Sequence, residues 1–324
     1  MKFIDLHCDT VMYFYKGQHL ADMEDRHISR KKLVDGGVTA QCFAIFIPTG
    51  RSAVYQQVTD APEVYFEKAY VRYLEEMEAN QDVLRRAFCA ADIQRNAEAG
   101  MVSSVLTVED GVALDGQLQR LDDYYTKGVR MLALTWNNEN SLGYPNSDDP
   151  AEHSRGLKPF GIDVVRRMNE LGMIVDVSHL SEGGFWDVAK HSAKPFVASH
   201  SCARAVHDHR RNLTDAQLRA VADSGGLVGV NFLARFLHEY HTPEENVTTI
   251  DDICRHLTHM KNVVGADALA IGSDYDGMGS KLEWKDCGGN QLLLRGLERA
   301  FTSDEIEKIA WKNALRVFQD VLEH

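Results

Sequence analysis

The stretch GLKPFGIDVVRRMNELGMIVDVSH, residues 156–179, holds one complete unit of an alternating fold. Pro159 suits the first turn of a helix, and Gly172 stands where that helix should stop. MIVDVSH (173–179) then reads as a short strand. It is apolar for most of its length rather than alternating, which is how a strand buried on both faces of a parallel sheet reads.

Working outward, seven further runs have this character: FIDLHCD (3–9), TAQCFAIFI (39–47), SSVLTVED (103–110), VRMLALTW (129–136), PFVASH (195–200), GLVGVNF (226–232) and ALAIGSD (268–274). Helical patterns fill the gaps, most clearly at 61–79, 159–172, 214–225 and 303–324, with Thr214 and Ser303 as suitable caps and Gly225 as a stop. Eight strands alternating with helices over 324 residues predict an α/β fold, the (β/α)8 TIM barrel, which needs about 250 residues and tolerates insertions. Residues 1–324 read as one such domain. The longest irregular stretches, 48–60 and 137–158, follow strands two and four, so they fall on the face where barrel active sites are built and are candidates for a lid or substrate wall.

Composition narrows the function. With 44% hydrophobic and 26% charged residues the chain reads as an ordinary globular one. Its scattered net charge of −13 argues against a nucleic-acid or anionic-membrane partner. No apolar run approaches the roughly 18 residues of a membrane span, and MKFIDLHCDT at the start lacks the pattern of a secretory signal, so a cytoplasmic location is expected. The six cysteines, at 8, 42, 89, 202, 254 and 287, show no CxxC pairing and read as reduced thiols. GxGxxG, Walker A, HExxH and GxSxG motifs are all absent. Asn212 and Asn246 open glycosylation patterns, and the histidines at 207, 209, 238, 241, 256 and 259 suggest a ligand reservoir, yet surface loops and helix positions are the plainer account of both.

The ends of the strands carry the chemistry, because in a barrel they converge on one pocket. Strand one ends in His7-Cys8-Asp9, strand three in Glu109-Asp110, strand five in His179, strand six in His200 and strand eight in Asp274. Residues i and i+2 of a strand share a face, so His7 and Asp9 can bind one ion while Cys8 turns into packing. His179 and His200, on neighbouring strands, could hold a second. Three histidines and two carboxylates suit zinc, and a Glu able to reach both ions would bridge them. Two such ions would share and acidify a water, which implies hydrolysis of a polar carbonyl or phosphoryl compound. Each residue has an ordinary alternative, such as a histidine bonded within a turn or an acidic pair at a helix start. Five strand ends bearing ligand-type residues favour the pocket.

These residues also carry a resemblance. The sequence resembles the renal, or membrane, dipeptidase family of zinc peptidases through DLHCDT at 5–10, VED at 108–110, LTWN at 134–137, the 156–179 block, ASHS at 198–201, RRN at 210–212 and GSDYDG at 272–277, in order along nearly the whole chain. The resemblance implies two Zn2+ per chain, one on His7 and Asp9, the other on His179 and His200, with Glu109 as the bridge. It implies hydrolysis of small dipeptides, including those ending in a D-residue, and a homodimer. Arg211, in the loop after strand six, would hold the substrate carboxylate in its bidentate fork; without the resemblance a surface salt bridge would be the natural reading. Asp274 would take a proton from the attacking water or hold the substrate ammonium, with Asp276 as the competing choice.

One position departs from the family pattern. The best-known members place a histidine at the end of strand four to polarise the scissile carbonyl, and this chain has Trp136, followed by Asn137 and Asn138. The indole N–H, an asparagine amide or a loop histidine such as His153 would have to supply the donor. Other metal-dependent barrel hydrolases, such as lactonases, phosphotriesterases and deaminases, are the nearest alternative, but many need a lysine at that same position. A binding protein that has lost turnover is the third reading, and the complete ligand set speaks against it.

Overall fold

The computed structural model describes residues 1–322. All eight expected strands form: β1 Phe3–Cys8, β2 Val38–Phe46, β3 Val102–Glu109, β4 Val129–Ala133, β5 Ile174–Asp176, β6 Val197–Ser201, β7 Leu227–Val230 and β8 Leu269–Ile271. Each pairs in parallel with the next and β8 pairs with β1, so the sheet closes into a (β/α)8 barrel. β4, β5 and β8 end well before their apolar runs do, so Trp136, His179 and Asp274 stand past the last ladder residue instead of on it.

The apolar runs did not reveal Leu84–Arg86, a short strand against the first residues of β3, on the side that β4 takes only from Leu106 onward. A two-residue pair, Val247–Thr248 with Lys281–Leu282, was equally invisible.

The expected helices appear as α1 Pro62–Ala79, α2 Pro159–Leu171, α3 Asp215–Asp223 and, at the end of the chain, α4 Asn313–Leu322. Gly172 and Gly225 take left-handed backbone just past α2 and α3. Thr214 and Gln217 form a reciprocal capping box before α3. The cap near 303 is Thr302, not Ser303: its hydroxyl accepts from the Glu305 N–H. The continuous helix expected there is split by a π-helical turn at Lys308–Lys312, and residues 323–324 of that expectation lie outside the described residues.

One cluster of buried residues draws on every strand: Ile4, Leu6, Ala40, Cys42, Val105, Met131, Ile174, Val197, Leu227 and Ala270, packed against Ala314, Val317, Phe318 and Val321 of α4. The strand residues come from the early part of each strand, so α4 closes the N-terminal mouth and leaves the opposite mouth for chemistry. Of the six histidines expected at the surface, His256 is instead fully buried on the helix Ile250–Val264. Its Nδ1 accepts from the Ala203 N–H and its Nε2 lies 3.0 Å from the Leu237 carbonyl, while burial lowers its pKa to about 4. The cysteines are all free, and all but Cys89 are buried.

Candidate active site

Glu109, the last residue of β3, is 2% exposed and sits between two groups of ligand-type side chains. Its Oε2 lies 3.7 Å from His7 Nε2, which in turn is 3.5 Å from Asp9 Oδ2. Its Oε1 lies 3.0 Å from His179 Nε2 and 3.4 Å from His200 Nε2. One carboxylate thus turns one oxygen to each of the two expected pairs. Asp274 joins the His7–Asp9 side, close enough for one ion to reach all three.

The register explains how neighbours along β1 reach one interior. Pairing with β2 shifts between Asp5 and Cys8, so Leu6 packs in the barrel cluster while His7 meets Glu109. A similar shift between Ala198 and Ser201 lets both Val197 and His200 serve the interior of β6. Beyond the ladder the backbone itself turns: Asp110, His179, Asp274 and Asp276 all take positive φ, an arrangement that costs non-glycine residues energy and gathers at functional sites.

The hydrogen bonds around the histidines fix which nitrogen carries the proton. His179 Nδ1 is 3.0 Å from Asn137 Oδ1, an acceptor, so Nδ1 donates and Nε2 is left with its lone pair. His200 Nδ1 faces Ser199 Oγ at 2.8 Å, and that hydroxyl gives its proton to Asp176, so Nδ1 donates here as well. The two Nε2 lone pairs then meet at 3.1 Å, with Glu109 Oε1 beside them. Such a meeting of acceptors is unfavourable unless a cation lies among them. His7 Nε2 and Asp9 Oδ1 are likewise buried without a hydrogen-bond partner. The donor set, imidazole nitrogens and carboxylate oxygens with no thiolate, fits a divalent metal of the zinc type.

The electrostatics agree. Burial alone would lower the His7 pKa, but the Glu109 and Asp9 carboxylates raise it to about 10. Burial and then the Asp9 charge push Glu109 well up. His179 and His200 are held well down, first by burial and then chiefly by the neighbouring Arg211 and His7 cations. Burial, with Asp9 beside it, moves Asp274 up to about 7, against a hydrogen bond from Asn231. Crowded carboxylates and histidines kept neutral both favour bound positive charge.

Over this floor opens a cavity of about 650 Å3. Asp9, Glu109, His179 and Asp274 line its base, and Phe46, Trp136, Asn137, Asn138, Tyr55, Leu233 and Phe236 its sides. Both long loops contribute, since Arg51, Ser52, Tyr55 and Gln56 come from the short helix Gly50–Gln56 after β2. Asn138 ties the two loops together through Thr49 Oγ1 at 2.9 Å. Trp136 packs edge-on against Phe46 and near His179, and its indole N–H makes no hydrogen bond among the described residues. His153 does not reach the cavity; it lies against Ser147 and Glu182.

Arg211 is 6% exposed and does not line the main cavity. It reaches the cavity's edge through Phe236, on whose ring it stacks, and shares a narrow crevice with His179. One of its nitrogens is 3.4 Å from the His200 carbonyl, and its Nε is buried with no partner. The choice between Asp274 and Asp276 follows from their bonds. Asp276 is occupied by Thr10 Oγ1 and the His27 N–H, whereas Asp274 faces the cavity and is steadied through Oδ2 by Asn231 at 3.0 Å. Several supporting residues escaped the sequence reading, Ser199 and Asp176 behind His200 among them. Asn231 had only its position after β7 to mark it. Gly277, inside the quoted GSDYDG, leaves room for the carboxylates, because a Cβ there would overlap Asp9 and Asp274.

Comparison with known proteins places this geometry. A family model described as "Membrane dipeptidase (Peptidase family M19)" matches residues 1–324. An uncharacterized protein of Klebsiella pneumoniae, from the pqqA 5' region, is 39% identical over 74% of this chain and 89% of its own length. Dipeptidase tcpJ of Claviceps purpurea is 29% identical over 91% of this chain and 69% of its own. Among solved structures, a metallopeptidase of Rhodobacter sphaeroides, liganded with a phosphinate mimic of the dipeptide L-Ala-D-Ala, superposes with a TM-score of 0.86 at 25% identity, covering 99% of both chains. Barrel, carboxylate-centred ligand cluster and family match agree: the chain belongs to the membrane dipeptidase family of metallopeptidases.

Proposed function

We propose that this dipeptidase is a binuclear zinc enzyme that cleaves the peptide bond of small dipeptides, including those that end in a D-residue. The observation that carries the reading is Glu109, whose two oxygens divide between His7 with Asp9 and His179 with His200. His7 and Asp9 would hold one ion, His179 and His200 the other, and Glu109 both. When bound, the pair of ions acidifies water at neutral pH and polarises a carbonyl. The protein's own groups do the rest. Asn137 and the Ser199–Asp176 pair keep the two histidines turned with Nε2 inward. Asp274, with Oδ2 tied to Asn231, has its other oxygen available to take a proton from the attacking water and return it to the departing amine. Arg211 provides the guanidinium for the substrate's C-terminal carboxylate, and the unpaired Nε leaves it with a donor to give. Trp136, in place of the family histidine, supplies an apolar wall and an indole N–H for the carbonyl side. The dipeptide-like ligand of the Rhodobacter relative, including its D-residue, supports the substrate class.

Metal analysis of the purified protein, followed by a screen of L,L- and L,D-dipeptides with and without added zinc, tests the reading. About two zinc ions per chain and zinc-dependent turnover are expected. A zinc-loaded protein that cleaves no dipeptide would overturn it.

A further inference from the structure

The cavity's ionisable lining is uneven. Asp9, Glu109 and Asp274 lie at the base with the ligand cluster, while a single Lys or Arg, Arg51, lines the rim. Arg51 is exposed on the short helix after β2, and its guanidinium has no hydrogen bond or ion pair among the described residues. The rim beside it adds positive charge. Lys16 donates to Gln56, itself a lining residue, and both Lys16 and Arg26 lie over the Tyr13 ring. Among the described residues Arg26 makes an ion pair only with Asp25, at 3.6 Å, a carboxylate that is largely exposed.

The barrel's topology sets direction. Arg51 follows β2 and Arg211 follows β6, four strands apart in a closed ring of eight, so the loops that carry them leave the barrel on opposite sides. Resting on the dipeptidase reading, with the C-terminal carboxylate at Arg211, the amino-terminal residue of a bound dipeptide extends its side chain towards β2. We propose that Arg51 is a specificity-determining residue that selects dipeptides whose amino-terminal residue has an acidic side chain. The aromatic and aliphatic walls between base and rim, Phe46, Trp136 and Tyr55 among them, accept the methylenes of such a side chain, and its carboxylate reaches the unpaired guanidinium.

The test compares kcat/KM for Glu-Ala, Gln-Ala and Lys-Ala on the zinc-loaded protein. Because Arg51 is exposed, the pair is worth about 1 kcal/mol, so Glu-Ala should exceed Gln-Ala by about fivefold. Arg51→Met should bring that ratio close to one, Arg51→Lys should keep part of it, and Arg51→Glu should shift preference to Lys-Ala, with zinc content constant in all. A wild-type ratio near one, or a ratio that Arg51→Met leaves intact, overturns the assignment while the dipeptidase reading stands. Absence of turnover on all three, and on the wider dipeptide screen, would sink the dipeptidase reading and this inference with it.

Discussion

Glu109 meets three imidazoles and, among the described residues, is the carboxylate that reaches both proposed ligand pairs, so its charge matters more than its shape. Glu109→Gln keeps the volume and removes the anion; metal content should fall and hydrolysis should be abolished, as measured by metal analysis and turnover. A variant that retains two ions and normal rates would remove the bridging role. His179→Ala and His200→Ala should each empty the same one of two sites, because both Nε2 atoms converge on Oε1. Arg211 answers a different question, that of substrate class. A carboxylate held by a buried guanidinium contributes on the order of 2–5 kcal/mol, counting the penalty of leaving the charge unpaired. Arg211→Met should therefore lower kcat/KM for dipeptides by roughly 30-fold or more, with zinc unchanged, and should cost dipeptide amides little further activity. Equal losses on both substrates would reassign Arg211 to holding the fold or the ligands. At this scale the residues that gather round Glu109 were legible, since His, Asp and Glu at strand ends announce themselves. Asn231 was not, because an asparagine after a strand is marked as a carboxylate's support only when the carboxylate is seen beside it. His256 misled for the converse reason: a histidine on a helix reads as polar until both ring nitrogens are found bonded to backbone in the core.

Between residue and barrel stand the elements, and there the sequence is clear in outline and blurred at edges. Apolar runs located all eight strands, because burial on both faces demands near-continuous hydrophobicity. The same runs overshot the ends of β4, β5 and β8, where buried residues continue past the last ladder bond. Leu84–Arg86 was missed because LRR, with one buried residue in three, has no apolar signature; its backbone pairing alone makes it a strand. Register shifts in β1 and β6 leave no trace in composition either, yet they turn His7 and His200 inward. α4 bears on stability, since its apolar face plugs the end of the barrel away from the chemistry. Phe318 is 1% exposed within that plug. Phe318→Ala should destabilise the fold by about 3–5 kcal/mol through lost burial and the cavity left behind. Denaturant unfolding should register the loss, while kcat/KM and metal content at 25 °C stay close to the parent values in the folded fraction. A parallel loss of metal would mean that the two mouths of the barrel are more tightly coupled than their separate packing implies.

On the scale of the whole molecule, the proposed ligands come from four strands spaced round the barrel, β1, β3, β5 and β6, so whatever they hold ties non-adjacent parts of the ring together. Without bound cations the same arrangement is a liability: Asp9, Glu109 and Asp274 crowd one buried space, and two imidazole lone pairs face each other. Removing the metal should therefore destabilise the folded protein and not merely silence it. A ligand that binds only the folded state stabilises by RT ln(1 + [L]/Kd), about 4 kcal/mol when it is a thousandfold above its Kd. Protein stripped by a chelator should unfold at a temperature lower by several degrees, and stoichiometric zinc should restore the original transition. Glu109→Gln separates two contributions, because it removes one of the crowded charges as well as a ligand. Its metal-free form should melt no lower than metal-free parent, and added zinc should raise its transition less. If stripping leaves the parent's transition unmoved although metal analysis confirms the loss, the cluster is not the strained, cation-requiring centre that its geometry describes, and the orphaned His7 and Asp9 atoms would need another partner.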